Sequence, residues 1–112
     1  MKKLIIALLF IFASIQLQAQ EANNKNAKYV TTIKGSCDMC QKRIQKASLS
    51  VSGVKQASWN IETKELSLIL NENKTSLLAV KTAIAGVGHD SEEVKASDEA
   101  YDKLHGCCKY ER

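Results

Sequence analysis

Gly35-Ser36-Cys37-Asp38-Met39-Cys40 is followed at once by Gln41-Lys42-Arg43-Ile44-Gln45-Lys46-Ala47. Upstream of this stretch, Tyr29 to Lys34 carries Val30, Thr31, Thr32 and Ile33 and stops at Gly35, the pattern of a β-strand. Downstream, from about Met39, the period changes. Ile44, Ala47, Ser48 and Val51 recur at intervals of three and four, with Lys42, Arg43, Gln45 and Lys46 turned outward. That spacing predicts an amphipathic helix ending near Gly53. A strand thus hands over to a helix across a glycine and two thiols.

Further out, Val54 to Ile61 alternates, with Ala57, Trp59 and Ile61 on one face, and Leu66, Leu68 and Leu70 alternate again after Glu62-Thr63-Lys64. Those two segments read as a hairpin. Leu77, Val80, Ile84 and Val87 then line one face of a second helix, which Gly86 and Gly88 close. His89 to Ala96 is more charged and reads as a last, edge strand, where charge discourages pairing with other chains. Ser97 is placed to cap a short helix with Asp98 and Glu99 in its first turn. Tyr101, Leu104, His105 and Cys108 would share one side of it. The predicted order β-α-β-β-α-β makes an α+β, ferredoxin-like sandwich. It has a four-stranded antiparallel sheet, two helices on one face and a short C-terminal helix or tail.

The N-terminus is expected to stand outside that fold. Lys2 and Lys3 precede an apolar run from Leu4 to Leu17, and Ala19 offers a cleavage point. The run is shorter than the ~20 residues needed to span a bilayer, so it reads as a secretory signal. The expected divisions are a signal peptide over 1–19, a flexible polar lead-in over 20–28, one small domain over 29–96 and a Cys- and His-containing tail over 97–112. Localisation would then be periplasmic or secreted, with no membrane contact after cleavage. The formal net charge of +4 is mild, and the basic residues are scattered, which argues against nucleic acid.

The chemistry lies in the cysteines. Cys37 and Cys40 open the first helix, where unpaired N–H groups and the positive dipole end favour thiolate over thiol. Two such sulfurs suit soft cations: Cu(I) first, then Hg(II), or Zn(II) and Cd(II) with further ligands. An exported chain can also hold disulfides. Cys107 and Cys108 make a poor bridge with each other, because adjacent Cα atoms are ~3.8 Å apart and a disulfide wants ~4.4–6.8 Å. Cross-pairing of a tail cysteine with a loop cysteine stays open.

Taken together, strand, Gly35, Cys37-x-x-Cys40, helix and the β-β-α-β remainder resemble the heavy-metal-associated domain family over about Tyr29 to Ala96. Ile44, Val51, Gly53 and Val54 stand where that family's helix and next strand carry such residues. The resemblance implies a metallochaperone-like binding protein rather than an enzyme. Cys37 and Cys40 would bind one soft ion, most simply Cu(I), and pass it by ligand exchange to a partner. That partner would be a metal-transporting protein or another metal-binding domain, with the protein itself a monomer or a metal-bridged dimer. The family's usual loop is Gly-Met-x-Cys-x-x-Cys. Here Gly35-Ser36-Cys37 is one residue shorter, and Met39 stands between the cysteines as a packing residue or a weak thioether ligand.

His89 matches a Gly-His step seen near the metal in some bacterial copper chaperones of that family, although a lone surface histidine is more often just solvated. His105, Cys107 and Cys108 form a second metal-like tract. A last strand would carry the chain ~23 Å from the loop at ~3.3 Å per residue. Ten further residues return only ~15 Å as a helix or ~33 Å extended. A separate tract, a joint four-sulfur site and a merely structural tail are all consistent with that reach. Two other functions compete: a thiol-disulfide oxidoreductase with Cys37 as nucleophile, and a disulfide-stapled adaptor without metal. The first is disfavoured because a chain with no proline cannot supply the cis-proline that thioredoxins set beside their cysteines.

Overall fold

The computed structural model describes residues 24–112. The expected signal peptide, and the lead-in up to residue 23, lie outside the described residues. The elements run β1 (Ala27–Thr32), α1 (Asp38–Ser50), β2 (Val54–Trp59), β3 (Glu65–Leu70), α2 (Leu77–Gly86), α3 (Asp98–Asp102) and a one-turn 3-10 helix (Gly106–Cys108). β3 is central in an antiparallel sheet of order β1-β3-β2. The first strand begins two residues earlier than its β-branched run predicts, since Ala27 pairs with Leu70.

One face of the sheet carries the core. Leu66, Leu68 and Leu70 alternate inward from β3 and are all but sealed from solvent, as is Trp59 at the end of β2. Ile44, Ala47 and Ser48 of α1 and Val80 and Ile84 of α2 cover them. Burying one such aliphatic side chain is worth roughly 1.5–3 kcal/mol, so period-two strands against period-3.6 helices suffice to specify this layer. Two residues assigned to apolar faces turn out instead: Ile61 lies beyond β2 and Val87 beyond α2, each more than a third exposed. The hairpin turn is set by Asn60, whose side-chain oxygen accepts from the N–H groups of Glu62 and Thr63. Lys64 takes the left-handed conformation there. No helix among the described residues is long and apolar enough to cross a membrane.

The fourth strand expected over His89–Ala96 does not form. Only Ser91 bridges to Ile33, beside β1, where a fourth strand would have paired. Lys34 N–H donates to the Asp90 carbonyl at 2.9 Å, and Ser91 N–H then turns back to the Val94 carbonyl at 2.9 Å. The Asp90 carboxylate points inward and accepts from Ala96 N–H at 2.7 Å. A polar side chain that satisfies a backbone N–H across the loop competes with the ladder, and here it wins. The structure is therefore a small α+β fold with a three-stranded antiparallel sheet, consistent with the ferredoxin-like arrangement less its fourth strand. The reversal at Ser91 also brings the tail back toward the loop it was expected to leave.

Candidate metal centre

The cysteine loop rests on Trp59. The indole N–H donates to the Ile33 carbonyl at 3.1 Å, tying the end of β1. Gln41 and Gln45 of α1 hold the Trp59 carbonyl and N–H at 2.8 and 3.0 Å. Gly35 passes so close that a Cβ there would lie 2.9 Å from the indole ring and 3.2 Å from Cys40 Cβ. Only glycine lets the chain cross this floor. Cys37 is then the residue before the first helical turn, with extended backbone, and Cys40 lies fully buried within that turn.

The tail meets this loop. Its short helix α3 is capped by Ser97, whose hydroxyl accepts from Ala100 N–H. That helix ends at Asp102, so Cys107 and Cys108 stand on the following 3-10 turn and not on its face. The Ser36 hydroxyl donates to the Cys107 carbonyl across the two segments. Cys37 Sγ lies 3.4 Å from Cys40 Sγ, 3.0 Å from Cys108 Sγ and 3.2 Å from Cys107 Sγ. Cys37, Cys40 and Cys108 form a set whose sulfurs all lie within 4.8 Å of one another. Cys107 is exposed and touches Met39 Sδ at 3.6 Å. The tail thus meets the loop thiols, with Cys108 inside the close set and Cys107 at its edge, in contact with Cys37. All four cysteines are free thiols.

The electrostatics divide the thiols. Burial alone would push Cys37 up, but hydrogen bonds from the Cys108 and Cys107 thiols and from the Cys40 backbone and thiol outweigh it. The Cys37 thiol is brought down to about 6. Cys108 is pushed up well beyond the usual thiol range, by burial first and then by Cys37 and Cys40, with the Arg43 guanidinium opposing. Cys107 is also raised, chiefly by its contact with Cys37. Of Cys37, Cys107 and Cys108, Cys37 is thus the one that ionises first, and the thiolate is the form in which sulfur binds a metal ion.

His89 is placed differently from either expectation. It is fully buried, neither solvated nor within the close sulfur set. Its Nδ1 lies 2.8 Å from the Lys34 carbonyl and its ring stacks on Tyr110. Burial holds the imidazole neutral by lowering its pKa, a shift the Lys34 carbonyl only partly offsets. Nδ1–H donates to the Lys34 carbonyl, so Nε2 is an acceptor, and among the described residues it has no partner. His105 is exposed and stands just ahead of the 3-10 turn.

Arg43 is the residue the pattern misplaced. Expected on the outer face, it is half-buried, and its NH1 is buried without a partner among the described residues. It lies three positions after Cys40, on the same helical face, and that spacing was the available signal. Ser36 and Trp59 as parts of the loop's support carry no such local signal.

No protein-family model matches the chain, and no curated protein matches it. Solved structures do. The CopZ metallochaperone is 26% identical, with a TM-score of 0.56, over 58% of this chain and 98% of its own. The N-terminal domain of a potential copper-translocating P-type ATPase from Bacillus subtilis, in the Cu(I)-loaded state, is 25% identical. Its TM-score is 0.56, over 59% of this chain and 84% of its own. Oxidized MerP from Ralstonia metallidurans CH34 is 26% identical, with a TM-score of 0.52, over 59% of this chain and 96% of its own. The chain shares the fold of these copper-chaperone and ATPase metal-binding domains, and it carries a cluster of soft ligands that can hold a metal ion.

Proposed function

We propose that this is an exported protein that binds a soft metal ion, Cu(I) before Hg(II), Zn(II) or Cd(II), and passes it to a partner or sequesters it. The observation that carries this reading is the meeting of Cys37, Cys40 and Cys108 within 4.8 Å. A thiolate-bound d10 ion lies about 2.3 Å from each sulfur, so three coplanar sulfurs around it stand about 4.0 Å apart. The observed contacts of 3.0 and 3.4 Å need to open by about 1.0 and 0.6 Å. Sulfur-only coordination favours Cu(I) over harder ions.

Transfer follows from exposure. Cys40 and Cys108 are buried, whereas Cys37 is half-buried. A partner's thiolate would add to the ion beside Cys37 and displace this chain's sulfurs in turn, so that the ion is never released to water. The partner we favour is a metal-transporting protein or another metal-binding domain, in line with the P-type ATPase domains of the same fold. A groove of about 620 Å³ with Lys42, Arg43 and Lys46 in its wall and Met39 at the cluster offers it a surface. Buried His89 and exposed His105 are not needed as ligands in this reading.

The test is a titration of the reduced protein with Cu(I) against a chelator such as bathocuproine disulfonate, with Hg(II), Zn(II) and Cd(II) in parallel. Competitive Cu(I) binding, lost in Cys37→Ser and weakened in Cys108→Ser, is expected. A reduced protein that leaves the metal with the chelator but reduces insulin disulfides would establish the oxidoreductase instead.

A further inference from the structure

Three sulfurs serve the reading above, yet five stand in contact. Cys107 Sγ is 3.2 Å from Cys37 Sγ, 3.6 Å from Met39 Sδ and 4.0 Å from Cys108 Sγ. It is nevertheless outside the set whose members all lie within 4.8 Å of one another. The excluding distance is therefore the one to Cys40. Two sulfurs bound to one ion at about 2.3 Å each cannot be more than about 4.6 Å apart. Cys40 and Cys107 thus cannot share an ion in this arrangement, and a single tetrahedral four-thiolate site does not fit.

We propose that the five sulfurs form two adjoining soft-metal sites with Cys37 as the common, bridging ligand. The inner site is Cys37, Cys40 and Cys108; the outer one is Cys37, Cys107 and Met39. The proposal rests on the soft-metal reading and adds its capacity and order of filling. Cys107 and Met39 are both solvent-exposed, Met39 by 40%, while Cys40 and Cys108 are sealed. The sulfurs therefore run from solvent to interior through Cys37. The outer turn is held in place by the Ser36 hydroxyl on the Cys107 carbonyl and by Cys108 N–H on the His105 carbonyl at 2.8 Å.

The ligand chemistry selects the occupant of the outer site. Its set contains one unshared thiolate and a neutral thioether, which suits a monovalent soft cation such as Cu(I) and not a divalent one. A second monovalent ion arriving with the Cys107 thiolate leaves the cluster's charge unchanged, so filling the outer site adds no uncompensated charge beside the buried one. The Arg43 guanidinium, at Cys108, already faces the inner site's negative charge. An ion in the outer site is the one that an incoming partner meets first.

Anaerobic addition of Cu(I) to the fully reduced protein, followed by native mass spectrometry and copper X-ray absorption, tests this. Two ions per monomer and a copper–copper scattering shell are expected. Cys107→Ser is expected to stop at one ion, and Met39→Leu to weaken the second step by about tenfold or more, the scale of a lost supporting ligand. Circular dichroism checks that both variants, changed at exposed positions, keep the fold. A wild-type protein that stops at one ion per monomer overturns the outer site and leaves the three-sulfur reading standing. So does a second ion found only in dimers, or retained in Cys107→Ser. A protein that holds no ion at all removes both readings.

Discussion

Cys37 and Cys40 stand where a strand becomes a helix, while Cys107 and Cys108 stand on a single 3-10 turn near the end of the chain. The first pair is placed by its neighbours in sequence: β1 before it, thirteen residues of α1 behind it and Trp59 beneath it. The second pair has three residues of regular structure and is placed by what comes after it. Tyr110 donates its hydroxyl to the Gly88 carbonyl at 2.7 Å and accepts from Asp90 N–H at 2.9 Å. Arg112 forks onto the Asp90 carboxylate and reaches Asp98 and the Ala96 carbonyl. Both anchors grip the loop where a fourth strand would have been. The comparison teaches that half of this sulfur cluster is built by local structure and half by long-range hydrogen bonds, and the two halves should fail separately.

Cys37 is the contact point of the two pairs, so its loss should have the largest effect. Cys37→Ser is expected to weaken Cu(I) binding by more than ~100-fold, beyond the range set by supporting residues, as read by chelator competition. A variant that kept wild-type affinity would show that the pairs act independently and would break the comparison at its centre.

Asp90→Ala attacks the tail's anchorage. Asp90 is 3% exposed, and its removal strands the Ala96 N–H and leaves Arg112 only its bonds to Asp98 and the Ala96 carbonyl. A loss of about 2–3 kcal/mol in urea unfolding is expected, with Cys108 becoming open to alkylation before Cys40. Acid should do the same in the wild type. Burial alone would raise the Asp90 carboxyl, but the Arg112 hydrogen bonds, the Ala96 N–H and the Arg112 charge leave it below its usual range. Its stabilisation is therefore complete above the ordinary carboxylate pKa and disappears as pH falls through the depressed one. The Ala variant should lack that part of the acid limb.

Gly35→Ala attacks the loop instead. The added methyl meets the indole of Trp59, which is pinned at both ends, so the loop must shift, at a cost of about 2 kcal/mol. Cys40 should be exposed by this change more than Cys108, the reverse order to Asp90→Ala. Tyr110→Phe is the mildest change, removing one hydroxyl and its two backbone partners for about 1 kcal/mol. It should loosen the tail thiols, by alkylation rate, without moving the loop pair.

Much of the centre's first half was legible. Ile44, Ala47 and Ser48 face the core as their spacing predicts, Leu66, Leu68 and Leu70 alternate inward, and Ser97 caps its helix. The last strand was misread because a polar, charged segment at an edge looks the same whether its side chains face solvent or, as with Asp90 and His89, fold inward to meet backbone groups. That error carried the reach argument with it. A chain that turns at Ser91 has no seven-residue strand to retrace.

What the sequence by itself determined is everything that depends on residues within a few positions of one another: the β-α-β-β-α order, the buried stripes, and two thiols at a helix entrance. Periodicity and capping are local properties, readable without knowing where the rest of the chain goes. Only the tertiary structure decided that Cys107 and Cys108 meet the loop thiols, that His89 is sealed against Lys34, and that Arg43 is half-buried beside Cys108. Those outcomes depend on Asp90, Tyr110 and Arg112 closing hydrogen bonds across some twenty residues. No short-range pattern announces such closures, because each partner is an ordinary polar residue until the fold brings the other to it.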